Sequence, residues 1–331
     1  MKNKIASYKK RATGLAQAIT LTLTLGTLGL FASSSFAGTL QTFTLNVTQS
    51  STWIYEFQLR VGVQSPDGPI KGDILYLPGF SDRLDNHGPL FEAWNQKGFR
   101  VISFDYPSHG ETRGDSLGLF GLRGLARLAQ MVEKATREDK SRPLIVSGWS
   151  TGGLLAVRMA QSNWFAQLGR SPSGLILFAP GVSVRNIVGR WSWRYPLGEV
   201  TQDTLTHAKN PPHKGEIKPK SPGSTLTFSI PLKIESILSQ YQKLPTALPT
   251  LVLVAGDKED VYANSPAVMR WIDWQKRKGA PVFAVQFPMA RHEIDNETEE
   301  YGGPLSRELA ADFASAILEE QTVGASATSR P

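Results

Sequence analysis

The residues best placed to do covalent chemistry stand at Gly148-Trp149-Ser150-Thr151-Gly152, a Gly-x-Ser-x-Gly turn. A short apolar run rich in β-branched residues, Pro143 to Ser147, precedes it, and Gly153 to Ala160 follows with a helical pattern. That order predicts a buried strand, a sharp turn and a helix. So tight a turn strains its central residue, while the flanking glycines let strand and helix approach, so the serine hydroxyl stands exposed above the sheet edge. The plainer reading, a Gly/Ser loop filling a strand-helix corner, explains the glycines but not the strand before and the helix after. A serine near neutral pH is a weak nucleophile and needs a base within hydrogen-bond reach, oriented in turn by a third group.

Of the five histidines, His87 and His109 precede the turn and His207 and His213 fall in a segment without regular pattern. His292 alone follows a core strand that comes after an acidic loop, which makes it the candidate base. His109 lies in the turn-rich Asp105-Tyr106-Pro107-Ser108-His109-Gly110-Glu111-Thr112, where such side chains bond nearby backbone, and reads as structural. The acidic loop is Gly256-Asp257-Lys258-Glu259-Asp260-Val261, and whichever of Asp257, Glu259 and Asp260 reaches the imidazole would fix its tautomer. Gly79, at the end of the run Ile74 to Leu77, lets backbone approach a bound carbonyl, and an amide there can join the amide after the nucleophile to hold an oxyanion.

These residues need a sheet to position them. Gln41 to Val63 alternates polar and apolar residues and predicts antiparallel strands. From residue 72 apolar strands alternate with helical stretches, which predicts a mostly parallel sheet with helices on both faces and the site at the carboxyl ends of the strands. The alternation breaks from about Val182 to Leu244, an insertion carrying Trp191, Trp193, Tyr195 and a Pro/Lys-rich stretch. So long an irregular segment reads as a cap over the site, or as a solvated insertion whose aromatics pack on the domain. After Thr250 to Ala255 a helix is expected with Ser265 as its N-cap and Pro266 in its first turn; a closing helix holds Leu305, Leu309, Phe313 and Ile317, and residues 323–331 read as a loose tail.

Composition narrows the class. The 331 residues carry a formal charge of +7, of which residues 1–37 hold five lysines and arginines with no acid, so +2 remains on the rest. That first segment has a basic start, an apolar run from about Gly14 to Phe31 and a small-residue site at Ser35-Phe36-Ala37, the plan of a signal peptide cleaved after Ala37. Export to a periplasm or the medium is expected; an uncleaved anchor is the lesser alternative, since Gln17 and four threonines interrupt the run. Absence of cysteine excludes disulfides, thiolate metal sites and a cysteine nucleophile. No metal-ligand cluster or dinucleotide loop is visible, so no cofactor is expected. Outside the leader the insertion offers only a weak basic patch, a net +4 over residues 185–220, which fits an anionic lipid surface better than nucleic acid.

Taken together, Leu77-Pro78-Gly79-Phe80, the Asp105 to Thr112 segment, Gly148 to Gly153, Gly256 to Val261 and Ala290-Arg291-His292-Glu293 resemble the α/β-hydrolase fold, over roughly residues 70–318. Within it the chain is similar to the lysophospholipase and monoacylglycerol lipase group often labelled serine aminopeptidase S33 or hydrolase-4. The resemblance implies one hydrolase domain at 38–322 with a cap at about 182–244, Ser150 as nucleophile, His292 as base, and the amides of Phe80 and Thr151 as oxyanion hole. Counting from the loop glycine it implies Glu259 as the acid, with Asp260 as alternative. Aspartate is usual in the family at that place. Pro78 and Trp149 stand where the family often has histidine, which bears on the shape of the acyl pocket. The implied activity is hydrolysis of acyl esters such as monoacylglycerols or lysophospholipids. Amide or peptide hydrolysis and acyl transfer would use the same residues, and a non-catalytic lipid-binding module of the same fold is the rival from another class.

Overall fold

A computed structural model describes residues 38–50, 54–112, 121–168, 170–184, 202–209 and 222–328. Its frame is one eight-stranded sheet, made of β1 (Gln41–Ser50), β2 (Ile54–Gln64), β3 (Gly72–Leu77), β4 (Phe99–Phe104), β5 (Leu144–Trp149), β6 (Gly174–Phe178), β7 (Thr250–Val254) and β8 (Val282–Gln286). They lie in the order β1-β2-β4-β3-β5-β6-β7-β8. The β1–β2 and β2–β4 pairs are antiparallel and all others parallel, as the two sequence patterns require. The order reverses beside β3 and β5, so the loops after these strands part and leave a crevice at their carboxyl ends. The chain has the α/β-hydrolase fold.

Both faces of the sheet are covered. Leu75, Leu77, Val146, Leu175 and Val252 point to one core, shared with helices α2 (Gly121–Thr136), α3 (Thr151–Gln161) and α6 (Ser265–Arg277) through Leu125, Leu155 and Trp271. Their neighbours Ile74, Tyr76, Ile145, Ile176 and Leu251 point to the other, against α1 (Gly88–Gln96) and α7 (Gly303–Thr328) through Phe91, Trp94 and Phe313. That period of two with apolar residues on both faces is what a buried parallel strand needs. Each such side chain contributes about 1.5–3 kcal/mol when fully buried.

At the amino end of β3 the fully buried Asp73 accepts from Arg100 at 2.9 Å, Arg142 at 3.3 Å and Arg170 at 2.8 Å. This ionic knot fastens β3, β4 and the chain before β5 and β6, at the end of the sheet away from the elbow. Three differences from the sequence pattern stand out. The N-cap of α6 is Asn264, whose side-chain oxygen accepts from Ala267 N at 3.2 Å, one residue before the serine expected there. The helix α7 continues to Thr328, past the point where the chain was expected to loosen at Val323. The described part of the insertion includes two helices, α4 (Gln202–Leu205) and the 20-residue α5 (Pro222–Tyr241).

The α5 helix is fastened to the domain by Arg158 with Glu235 at 2.6 Å and by Ser239 O, which accepts from Trp271 Nε1 at 3.0 Å. The leader at 1–37, the aromatic cluster Trp191, Trp193 and Tyr195 and the Pro/Lys stretch of the cap lie outside the described residues. Among the described residues no helix is long and apolar enough to cross a membrane.

Candidate active site

Ser150 sits in the turn between β5 and α3 with φ 52° and ψ −112°, a conformation sparsely populated for any residue with a Cβ. Its amide donates to Phe178 O at 3.0 Å, and its carbonyl accepts from Gly181 N at 2.8 Å and Leu154 N at 3.0 Å, so the strain is held from three sides. The glycines are there for space. A Cβ on Gly152 would come within 1.9 Å of Leu77 O, and one on Gly148 within 2.4 Å of the Gly152 carbonyl carbon.

His292, after β8, reaches the serine. Its Nε2 lies 2.7 Å from Ser150 Oγ and its Nδ1 lies 2.9 Å from Asp260 Oδ2, with His292 and Asp260 buried and Ser150 partly open to the pocket. An Nδ1–H donated to the carboxylate leaves the Nε2 lone pair facing the hydroxyl, the tautomer a general base requires. The carboxylate is itself fixed, because Asp260 Oδ1 accepts from Tyr262 N at 2.8 Å and Ala263 N at 2.9 Å.

The acid beside His292 is therefore Asp260 and not Glu259, which corrects the assignment drawn by counting from the loop glycine. The Asp260 amide donates to Gly256 O at 2.8 Å, a turn that folds Asp260 inward and leaves Glu259 outside it. Glu259 Oε2 instead lies 3.7 Å from His207 Nε2, on the side of the insertion. Asp257 is exposed on the same loop. His207 in turn bonds Glu297 at 2.9 Å and stacks on Tyr301, fastening the insertion beside the His292 loop.

The two expected oxyanion residues both line the pocket that holds the serine. Thr151 opens α3, where helix amides lack intrahelical acceptors and the dipole favours negative charge. Phe80 comes from the loop after β3, and with Thr151, Ser150 and His292 it lines one pocket. That loop is tightly specified: Asp82 Oδ2 accepts from Gly79 N at 3.1 Å, and Ser81, at φ 61°, donates its amide to His109 Nε2 at 3.0 Å. The other ring nitrogen of His109 faces Pro107 O at 3.0 Å, so both of its partners are backbone groups, as expected of a structural histidine. Burial lowers its pKa and keeps the ring neutral, which the acceptor role at Nε2 requires.

Trp149 closes the floor. Its Nε1 donates to His292 O at 2.9 Å, and its ring lies so near Gly79 that a Cβ there would meet it at 2.4 Å. The walls add Val184, Leu205, Leu232 and Tyr262, giving an apolar pocket around a polar triad. Leu205 and Leu232 show the insertion reaching over the site. Sequence patterning missed them because neither α4 nor α5 continues the strand-helix alternation.

It also missed His87, which precedes the elbow and carries no motif. The ring is fully buried, with Nδ1 2.7 Å from Asp295 Oδ2 and Nε2 2.9 Å from Asp82 Oδ2. Burial alone would lower its pKa, but the carboxylates of Asp295 and Asp82 outweigh that and raise it well above the ordinary value. Among the described residues Asp82, His87 and Glu293 are the group whose potential metal-ligand atoms come together, within 4.8 Å. An imidazole with an ionised carboxylate on each nitrogen is satisfied only when doubly protonated, and that form has no lone pair for a metal.

Residues 68–221 match the family model described as Serine aminopeptidase, S33, the group that the motifs resemble. Among curated protein sequences none matches the chain. Of the solved structures it is similar to, a thermostable carboxyl esterase from Bacillus coagulans in complex with glycerol superimposes with TM-score 0.60 at 17% identity, over 85% of this chain and 100% of that one. A soluble variant of the Saccharomyces cerevisiae monoglyceride lipase with a substrate analog gives TM-score 0.59 at 15% identity, over 86% and 97%. The Paleococcus ferrophilus monoacylglycerol lipase gives 0.58 at 16%, over 78% and 99%.

Proposed function

Since this chain has the α/β-hydrolase fold and matches the serine aminopeptidase S33 family model over residues 68–221, we propose that it is a serine hydrolase of acyl esters, with monoacylglycerols or lysophospholipids as its substrate class. The observation that carries the reading is the hydrogen-bond chain Ser150 Oγ, His292, Asp260 at 2.7 and 2.9 Å, set in an apolar pocket at the amino end of a helix. Ser150 attacks the ester carbonyl while His292 Nε2 takes its proton, and Asp260 stabilises the imidazolium. The carbonyl oxygen becomes an oxyanion that the amides of Phe80 and Thr151 receive. His292 returns the proton to the leaving alcohol, then takes one from the water that cleaves the acyl-enzyme. The apolar walls favour an acyl chain over a charged substituent, and the esterase and lipase relatives support the same class.

The chain is exported in this reading, with cleavage after Ala37, which N-terminal sequencing of the secreted product checks. A membrane-surface association is favoured by α5, which exposes Ile234, Ile237, Leu238 and Tyr241 on one face, opposite the buried face that carries the pocket residue Leu232. Binding to anionic liposomes that weakens with salt is expected; binding indifferent to salt counts against a charge contribution. The enzymatic reading is tested with the chain from Gly38 and a Ser150→Ala control on p-nitrophenyl esters of graded length, amino-acid p-nitroanilides and a fluorophosphonate label. Ester hydrolysis and labelling that vanish in the control support it. Anilide cleavage without ester cleavage would make the chain a peptidase, and a folded protein that neither labels nor turns over would make it a binding module.

A further inference from the structure

The oxyanion loop and the general base come from opposite ends of the chain, and their relative placement within a few tenths of an ångström decides the rate. A buried polar chain joins them. Asp82 Oδ2 accepts from Gly79 N at 3.1 Å, one residue before Phe80, and from His87 Nε2 at 2.9 Å. The other nitrogen of His87 meets Asp295 at 2.7 Å, three residues after His292. Beside this bridge Asn296 Nδ2 donates to Asn86 O at 3.0 Å and to Glu293 Oε1 at 2.9 Å, and Glu293 Oε1 lies 3.8 Å from His87 Nε2. The His87 ring rests between Tyr76, at 4.8 Å, and Trp149, at 5.6 Å, and Trp149 bonds the His292 carbonyl. Three carboxylates thus share one buried compartment with the His87 imidazolium between the two loops, and Arg307, which donates to Asp295 O, stands at its edge.

We propose that His87 is a positioning residue: doubly bonded between Asp82 and Asp295, it holds the oxyanion loop in register with the loop of the general base. The proposal rests on the hydrolase reading above and assigns His87 no contact with substrate. Removing the cation leaves Asp82 and Asp295 as buried like charges that push the two loops apart. Displacing an oxyanion donor weakens the transition state more than the bound ester, so the loss falls on kcat.

The test compares the wild-type chain with His87→Gln and Asp295→Asn. For each, kcat and KM on a p-nitrophenyl ester are measured per Ser150 titrated with fluorophosphonate, together with the affinity for a phenylboronic acid, whose boronate mimics the tetrahedral oxyanion. Both variants are expected to lose about 10- to 100-fold in kcat and in boronate affinity, at or below the cost of deleting an oxyanion donor, with KM changed less than about twofold. A merely structural role lowers Tm and leaves kcat per titrated site at the wild-type value, and that result overturns the proposal. So does a stoichiometric metal in the purified wild type that is lost in His87→Gln. Asp295→Asn is nearly isosteric and leaves His87 the carboxylates of Asp82 and, at 3.8 Å, Glu293, so it decides the matter where His87→Gln does not fold. A wild-type chain that neither labels nor hydrolyses refutes the hydrolase reading itself and not this bridge alone.

Discussion

Asp260→Asn offers the sharpest test of the triad, because the structure dictates how the asparagine must sit. Asp260 Oδ1 accepts from two backbone amides, Tyr262 at 2.8 Å and Ala263 at 2.9 Å, so an asparagine keeps its carbonyl oxygen there and turns its NH2 toward His292. An NH2 facing Nδ1 demands a lone pair on that nitrogen, which moves the ring proton to Nε2, against Ser150 Oγ. The base then points a proton at the hydroxyl it should deprotonate, and the imidazolium also loses its counter-charge. Wrong-tautomer substitutions of this kind lower kcat about 10⁴-fold, equivalent to about 5 kcal/mol of barrier. Glu259→Gln, on a side chain 3.7 Å from His207, should change kcat less than about threefold, since a partly exposed charge contributes about 1 kcal/mol or less. Steady-state kinetics on a short p-nitrophenyl ester, normalised to fluorophosphonate-titrated sites with Tm recorded alongside, separates the two. Asp260→Asn within tenfold of wild type, or a larger loss in Glu259→Gln, refutes the reasoning.

Gly152→Ala should abolish labelling and turnover or prevent folding, since its Cβ would lie 1.9 Å from the Leu77 carbonyl, whereas Gly68→Ala, with open space around it, should leave both unchanged. Asp73→Ala removes the buried carboxylate of the knot, leaving Arg100 only the half-exposed Glu138, and should cost about 3 kcal/mol in denaturant unfolding while kcat per titrated site holds. The raised pKa of His87 sets a stability term that is fully present below the ordinary histidine value of about 6.5 and is lost as pH rises through the folded value, so Tm should fall on the alkaline side less steeply in His87→Gln than in wild type. Asp82 acts oppositely: burial raises its pKa, His87 outweighs that and lowers it, and its contribution is lost as pH falls through the folded value.

How much of this was legible in the sequence follows from the range of the forces involved. The elbow was, because its constraint is local: Gly148, Ser150 and Gly152 are dictated by a turn that a few residues define. The sheet was legible for a similar reason, since strands buried on both faces must be apolar throughout, and the one antiparallel start announced itself by alternation. His292 could be chosen by order alone, as the histidine after the last strand. The choice of acid could not be made, because three carboxylates stand within four residues and a single turn, closed by Asp260 N to Gly256 O, decides which one faces inward.

The sequence by itself thus determined the fold class and picked out the candidate nucleophile and base, all set by local patterning and chain order. Only the tertiary structure decided that Asp260 rather than Glu259 serves His292, and that Leu205 and Leu232 of the insertion wall the pocket. It alone could join His87 to Asp295, 208 residues apart, since a buried ion pair needs only proximity in space and leaves no period or spacing in the chain.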